Sequence, residues 1–203
     1  MQIVILGGFL GAGKTTVLLQ YARSLISHSR QTHNPVVILE NEISEAGVDN
    51  QLLTRRHFLV KNIFSGCICC TSSAQLEESV REIEQNYSPE YLLIESTGMA
   101  YPDSVLHALE ACGYRNTGIL ALVDCKRWSK VKCAMPDFVT SQLKDASVIL
   151  ANKVDLVDEE TRKAVIEDIR RYNSGARIFP ISAIQQQPDT LWTQITALCL
   201  NRE

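Results

Sequence analysis

Residues 8–15, Gly8-Phe9-Leu10-Gly11-Ala12-Gly13-Lys14-Thr15, complete the pattern GxxxxGK[ST]. Glycines at these spacings let the backbone curl until successive N–H groups face one point, and a helix N-terminus adds its partial positive charge; both features suit a polyphosphate. On that reading Gly8, Gly11, Ala12, Gly13 and Thr16 line a phosphate loop, Lys14 spans the β and γ phosphates, and the Thr15 hydroxyl ligates Mg²⁺. A glycine-rich turn that binds nothing is the bland alternative. The apolar run IVIL before the motif and the helix-like run after it argue for the loop.

Asn152-Lys153-Val154-Asp155 follows another apolar run, VILA, where a sheet presents ligand-binding loops. It resembles the NKxD motif of GTPases. A carboxylate at Asp155 can accept from N1–H and the exocyclic amine of guanine, whereas adenine would offer it an acceptor, so this chemistry selects GTP over ATP. Ser182-Ala183, after RIFPI, resembles the SA motif that backs the guanine in the same proteins. Glu95-Ser96-Thr97-Gly98 ends the run YLLI between these motifs, the place for a sensor of the terminal phosphate. There Gly98 would present a backbone N–H to the γ-phosphate, and Glu95 would reach Mg²⁺ directly or through water. A strand-to-helix turn capped by a hydroxyl is the plainer account of that segment.

Three thiols crowd into Gly66-Cys67-Ile68-Cys69-Cys70. Soft thiolates bind zinc, cobalt, nickel or copper, and neighbours on a regular strand cannot all reach one ion, so two of Cys67, Cys69 and Cys70 are expected to ligate it from a turn. Glu40, Glu42 and Glu45, just after the second strand-like run, supply carboxylates to complete a shell. Buried free thiols, a redox pair, a solvated acidic loop or Mg²⁺ ligation alone are the competing accounts. The four histidines are scattered without ligand spacing, although His57 could approach the cysteine loop.

Positioning such groups takes strands and helices. Short apolar runs at 3–6, 36–39, 58–60, 91–94, 118–123, 147–150 and 177–180 alternate with helix-like segments at 15–28, 73–86, 102–111, 158–172 and 189–199. Runs that are continuously apolar, rather than alternating, belong to strands covered on both faces, so the expected fold is α/β: a doubly wound, mostly parallel sheet in a three-layer αβα P-loop NTPase arrangement. With 203 residues, 45% of them hydrophobic, the chain is read as one domain over residues 1–203. Twenty Lys and Arg against 23 Asp and Glu leave a net charge of −3, with no basic excess for a nucleic-acid backbone. The opening MQIVILGGFL reads as a buried strand rather than a signal segment, and no apolar run approaches the roughly 20 residues that cross a bilayer. Seven cysteines, an odd number and unevenly spread, point to free thiols or ligands in a reducing, cytoplasmic setting.

Together GGFLGAGKTT, ENEISEAGVD, GCICC, ESTGMAYP, VDC and NKVD resemble the CobW-like GTPases, relatives of the urease and hydrogenase accessory GTPases, over nearly the whole chain. The resemblance implies GTP hydrolysis coupled to insertion or delivery of Zn, Co or another metal, with Glu40, Glu45 and Cys69 on the metal-binding positions, and nucleotide-linked homodimers. Family members usually read NEFGE where this chain has Asn41-Glu42-Ile43-Ser44-Glu45, and ADP where it has Ala100-Tyr101-Pro102. Many also carry a C-terminal domain; this chain is read as a short form without one.

In the mechanism these readings imply, GTP and Mg²⁺ order the segments 40–49 and 66–71 around a metal, and hydrolysis releases it to a client metalloprotein. Lys14 and a water held by Glu42 or Glu95 would carry a slow hydrolysis. Three rivals stay open: an accessory factor for cobalamin biosynthesis or for a corrinoid enzyme that transfers no metal, an ATPase or kinase, and a module that binds without hydrolysing.

Overall fold

The continuous apolar runs become seven strands, and those at Gln2–Gly8, Val36–Glu40, Tyr91–Glu95, Thr117–Asp124 and Val148–Asn152 are buried along most of their length. The computed structural model describes residues 1–31, 33–40, 59–62, 73–96 and 101–200. In chain order the elements are β1 (Gln2–Gly8), α1 (Lys14–His28), β2 (Val36–Glu40), β3 (Leu59–Asn62), α2 (Ser73–Tyr87), β4 (Tyr91–Glu95), α3 (Pro102–Ala111) and β5 (Thr117–Asp124). There follow α4 (Trp128–Ala134), α5 (Pro136–Leu143), β6 (Val148–Asn152), a short 3₁₀ turn (Val154–Leu156), α6 (Glu159–Tyr172), β7 (Arg177–Pro180) and α7 (Asp189–Leu200).

The strands lie in the order β3-β2-β4-β1-β5-β6-β7, and every pairing is parallel. All carboxyl ends therefore emerge along one rim. β1 sits between β4 and β5, so the chain winds away from it in both directions and a crevice opens at that rim beside β1, where doubly wound sheets hold ligands.

Alternation along each strand sends Ile3, Ile5, Leu92, Ile94, Ile119 and Ala121 to one face, under α2, α3, α4, α5 and α6. Val4, Leu6, Leu93, Leu120, Leu122 and Leu150 go to the other, under α1 and α7. Both residue sets are apolar, which is why the runs read as continuous rather than alternating. On the second face Tyr21 of α1 stacks on Trp192 of α7 with ring centroids 5.4 Å apart. Trp192 is 1% exposed, so trimming it to alanine would cost about 3–5 kcal/mol. Glycine at 118 lets α7 approach β5 closely: a Cβ there would lie 1.9 Å from the Cys199 carbonyl oxygen.

The expected α/β, three-layer arrangement is the one found. Two features differ from the sequence expectation. Residues 128–143 form α4 and α5, a pair of short helices divided at Met135 and started afresh by Pro136 at the first helical turn, so neither is long enough to show a clear period. Several strands also run past their apolar stretch into polar residues, and these ends are in register: Glu40 faces Glu95, and Asp124 faces Asn152. Among the described residues no helix is long and apolar enough to cross a membrane.

Candidate nucleotide site

The loop between β1 and α1 takes its shape from glycine. Gly8 and Gly13 have φ of 135° and 100°, and a Cβ on them would meet the Leu122 carbonyl oxygen and Asn152 Nδ2, each at 2.6 Å. Gly13 caps α1 without any side-chain acceptor, so the first N–H groups of that helix have no side-chain cap, the arrangement that suits an anion. Lys14 is 7% exposed and its Nζ donates to the carbonyls of Gly8 (3.1 Å) and Phe9 (3.4 Å). Burial lowers its pKa, while the Glu95 charge pulls it back up. A cation held this way, at a desolvation cost, has much to gain from phosphate oxygens.

Asn152, at the end of β6 and 1% exposed, joins three loops. Its Nδ2 donates to the Ala12 carbonyl at 2.7 Å, and its Oδ1 accepts from the N–H groups of Lys153 (2.8 Å) and Ala183 (2.9 Å). Lys153 adopts the left-handed conformation, φ 64°, and its Nζ reaches the Gly11 carbonyl and Asp124 Oδ2, at 2.7 and 2.8 Å. That strained turn brings Asp155 into the 3₁₀ turn, where its Oδ1 accepts from the Ser182 hydroxyl at 2.5 Å. The polar groups of Asn152 and Lys153 thus go to neighbouring backbone and to Asp124, whereas Asp155 and Ser182 pair with each other.

Sequence reasoning missed four side chains that build this rim. Gln142 of α5, 3% exposed, accepts the Gly8 N–H at 2.6 Å and fixes the start of the loop. Gln20 of α1 donates to the carbonyls of Ala183 (2.7 Å) and Gln185 (3.1 Å) and accepts from Gln187 N–H (2.9 Å), tying the phosphate-loop helix to the 182–187 turn. Asp124, the last residue of β5, binds both Lys153 and Arg127, and Arg127 Nη2 donates to the Leu10 carbonyl at 2.7 Å. Only Asp124 had a signal, a carboxylate ending an apolar strand beside the NKVD strand; the others act across distances along the chain that no local spacing reveals.

The profile of the CobW/HypB/UreG nucleotide-binding domain matches residues 2–180. This chain belongs to that family. Among its relatives, the zinc chaperone YjiA of Escherichia coli (strain K12) is 32% identical over 194 residues, covering 90% of this chain and 58% of YjiA. The zinc chaperone YeiR of the same organism is 32% identical over 165 residues, covering 79% of this chain and 49% of YeiR. The chain thus spans about half the length of the curated relatives it matches. In fold it is similar to the hydrogenase maturation factor HypB from Archaeoglobus fulgidus, with a TM-score of 0.65 at 19% identity over 96% of this chain and 87% of that one.

In this CobW/HypB/UreG domain the β4 end comes close to the phosphate loop. The Thr15 hydroxyl donates to Glu95 Oε1 at 3.3 Å, and the adjacent Ser96, fully buried, donates from both its hydroxyl (2.7 Å) and its N–H (3.1 Å) to the Leu6 carbonyl. Glu40, 6% exposed, lies beside Glu95 in the strand register. Glu42, Glu45, His57, Cys67, Cys69, Cys70 and Gly98 fall outside the described residues. Among the described residues no group of three or more His, Cys, Asp and Glu side chains is arranged to hold a metal, and Cys112, Cys125, Cys133 and Cys199 form no disulfide.

Proposed function

We propose that this domain binds and hydrolyses GTP and couples that cycle to binding and delivery of a transition metal to a client metalloprotein. The observation that carries the reading is the meeting of three loops at Asn152, which sets the Gly8–Thr15 loop beside the paired Asp155 and Ser182. Polyphosphate would lie along the loop amides of Gly11, Gly13, Lys14, Thr15 and Thr16, with Lys14 at the β and γ phosphates and Ala12 shaping the turn between Gly11 and Gly13. Guanine would be accepted by Asp155 and backed by Ser182 and Ala183, and Asn152 and Lys153 would keep that pocket in shape.

The Thr15 hydroxyl and the Glu95 carboxylate are hard oxygen donors 3.3 Å apart, a set that fits Mg²⁺. When bound there, Mg²⁺ neutralises phosphate charge. Lys14 stabilises the same charge from the loop, and Glu95 or Glu42 orients the attacking water.

The metal cargo is assigned to Glu40 and Glu45 with Cys67, Cys69 and Cys70, a mixed carboxylate and thiolate set that suits Zn²⁺ first and Co²⁺ or Ni²⁺ next. Two relatives named as zinc chaperones favour zinc. Gly98 is assigned to sensing the γ-phosphate, and a nucleotide-linked homodimer in a reducing cytoplasm is the expected setting. The test is titration of Zn²⁺, Co²⁺ and Ni²⁺ into the GDP form and into the form holding a non-hydrolysable GTP analogue. Coupling requires the metal affinity to differ between the two; equal affinities would sink it.

A further inference from the structure

Three successive carbonyls of the phosphate loop are held from outside by side chains. Leu10 is held by Arg127 Nη2, Gly11 by Lys153 Nζ and Ala12 by Asn152 Nδ2, each at 2.7 Å. The second and third tethers belong to the NKVD motif; the first belongs to no motif. Across a planar trans peptide the C=O and the following N–H point in opposite directions, so fixing a carbonyl outward turns the next amide inward. Arg127 thereby aims the Gly11 N–H into the cradle and Asn152 aims the Gly13 N–H. The intervening Ala12 N–H closes the turn on the Phe9 carbonyl at 3.0 Å.

Arg127 is braced for this. Its Nε donates to Asp124 Oδ2 at 2.8 Å and its own N–H to Asp124 Oδ1 at 3.1 Å, so the guanidinium fork spans a carboxylate on one side and the loop on the other. The same Asp124 Oδ2 binds Lys153, and the Asp124 side chain is only 3% exposed. Gly11, at φ 73°, leaves room for the guanidinium, since a Cβ there would sit 3.0 Å from Arg127 Nη2. Lys14 Nζ rests on the Gly8 and Phe9 carbonyls, which marks the first half of the loop as the end nearest the β and γ phosphates.

We propose that Arg127, braced by Asp124, is a positioning residue that tunes the loop for a triphosphate over a diphosphate by aiming the Gly11 amide at the β–γ end of the ligand. The inference rests on the nucleotide-binding reading above. The test uses the full chain with R127A and R127K, and measures Kd for GDP, for a non-hydrolysable GTP analogue and for inosine diphosphate, together with Tm. R127A should weaken the GTP analogue about tenfold and GDP less than about threefold, leaving the guanine-over-hypoxanthine preference intact. R127K keeps the charge but has one nitrogen for two acceptors, and should fall between R127A and the parent.

Unchanged affinities would overturn the proposal. So would equal losses for both nucleotides, with or without a lower Tm, because those mark a merely structural clamp. If R127A does not fold, R127K alone decides on the same comparison. If the parent chain prefers ATP, the guanine reading fails while the triphosphate-to-diphosphate comparison still tests Arg127 with adenine nucleotides. A parent chain that binds no nucleotide overturns both.

Discussion

Asn152 Nδ2 and the Ala12 carbonyl lie 140 residues apart in the chain and meet at 2.7 Å. Three of the side chain's hydrogen-bonding positions are filled by backbone, so its replacement leaves buried groups unpaired. N152A should cost about 1–3 kcal/mol of stability, and N152D, which sets a buried carboxylate oxygen against the Ala12 carbonyl, should cost at least as much in denaturant midpoint and weaken nucleotide binding severely. Denaturant melts beside nucleotide titrations check this; a normal GDP affinity in N152D would show that the tether to Ala12 does not shape the loop.

Gln20 joins α1 to the 182–187 turn through three hydrogen bonds. Substituting leucine leaves that turn without its anchor while sparing the phosphate loop. Q20L should therefore weaken GDP about tenfold and leave ADP nearly unchanged, as expected when only the base pocket loosens. Parallel losses for both nucleotides would contradict the assignment.

Lys14 is a buried cation whose pKa is lowered by desolvation, with Glu95 offsetting part of the effect. Replacing it with methionine removes a charge that is costly to bury and keeps much of the apolar stem. K14M should melt no lower than the parent in the absence of nucleotide, while its affinity for a GTP analogue falls at least about a hundredfold. Calorimetry with and without ligand separates the two effects, and a large loss of nucleotide-free stability would contradict the electrostatic account.

Asp103, Asp124 and Asp168 all titrate below their ordinary value of 3.8. In each, burial works against the charged form and is outweighed by hydrogen bonds, chiefly from Lys144 to Asp103, from Lys153 and Arg127 to Asp124, and from Lys132 and Trp128 to Asp168. A folded-state pKa below the unfolded one adds stability that is fully present above the unfolded value and is lost as pH falls through the folded values. Urea midpoints taken from about pH 6 down to about pH 2 should decline, most steeply below the unfolded carboxylate value, and D103N should flatten part of that decline. An identical slope in D103N would show that the Lys144 pair contributes nothing.

The central strands and their order of appearance were legible because both faces of the sheet are covered there, which turns such a strand into an unbroken apolar run like Val36-Val37-Ile38-Leu39. The phosphate loop was legible because its chemistry is written in consecutive residues. The α4 and α5 pair was not: Trp128–Ala134 and Pro136–Leu143 are two turns each, and Pro136 reads as a break before it reads as a start. Gln20, Gln142 and Arg127 escaped for a different reason. Each is an ordinary polar residue on a helix or turn, and its role exists only once the sheet order brings β1, β5 and β6 together.

With its carbonyls tethered from outside and its opening amide fastened to Gln142, the loop is a mould held in shape by the protein's own side chains. The entropy of shaping it is spent during folding rather than at the moment of capture, which favours tight grip and slow departure. The rim is thereby the fixed part of the machine, held by side chains that lie outside the loop itself.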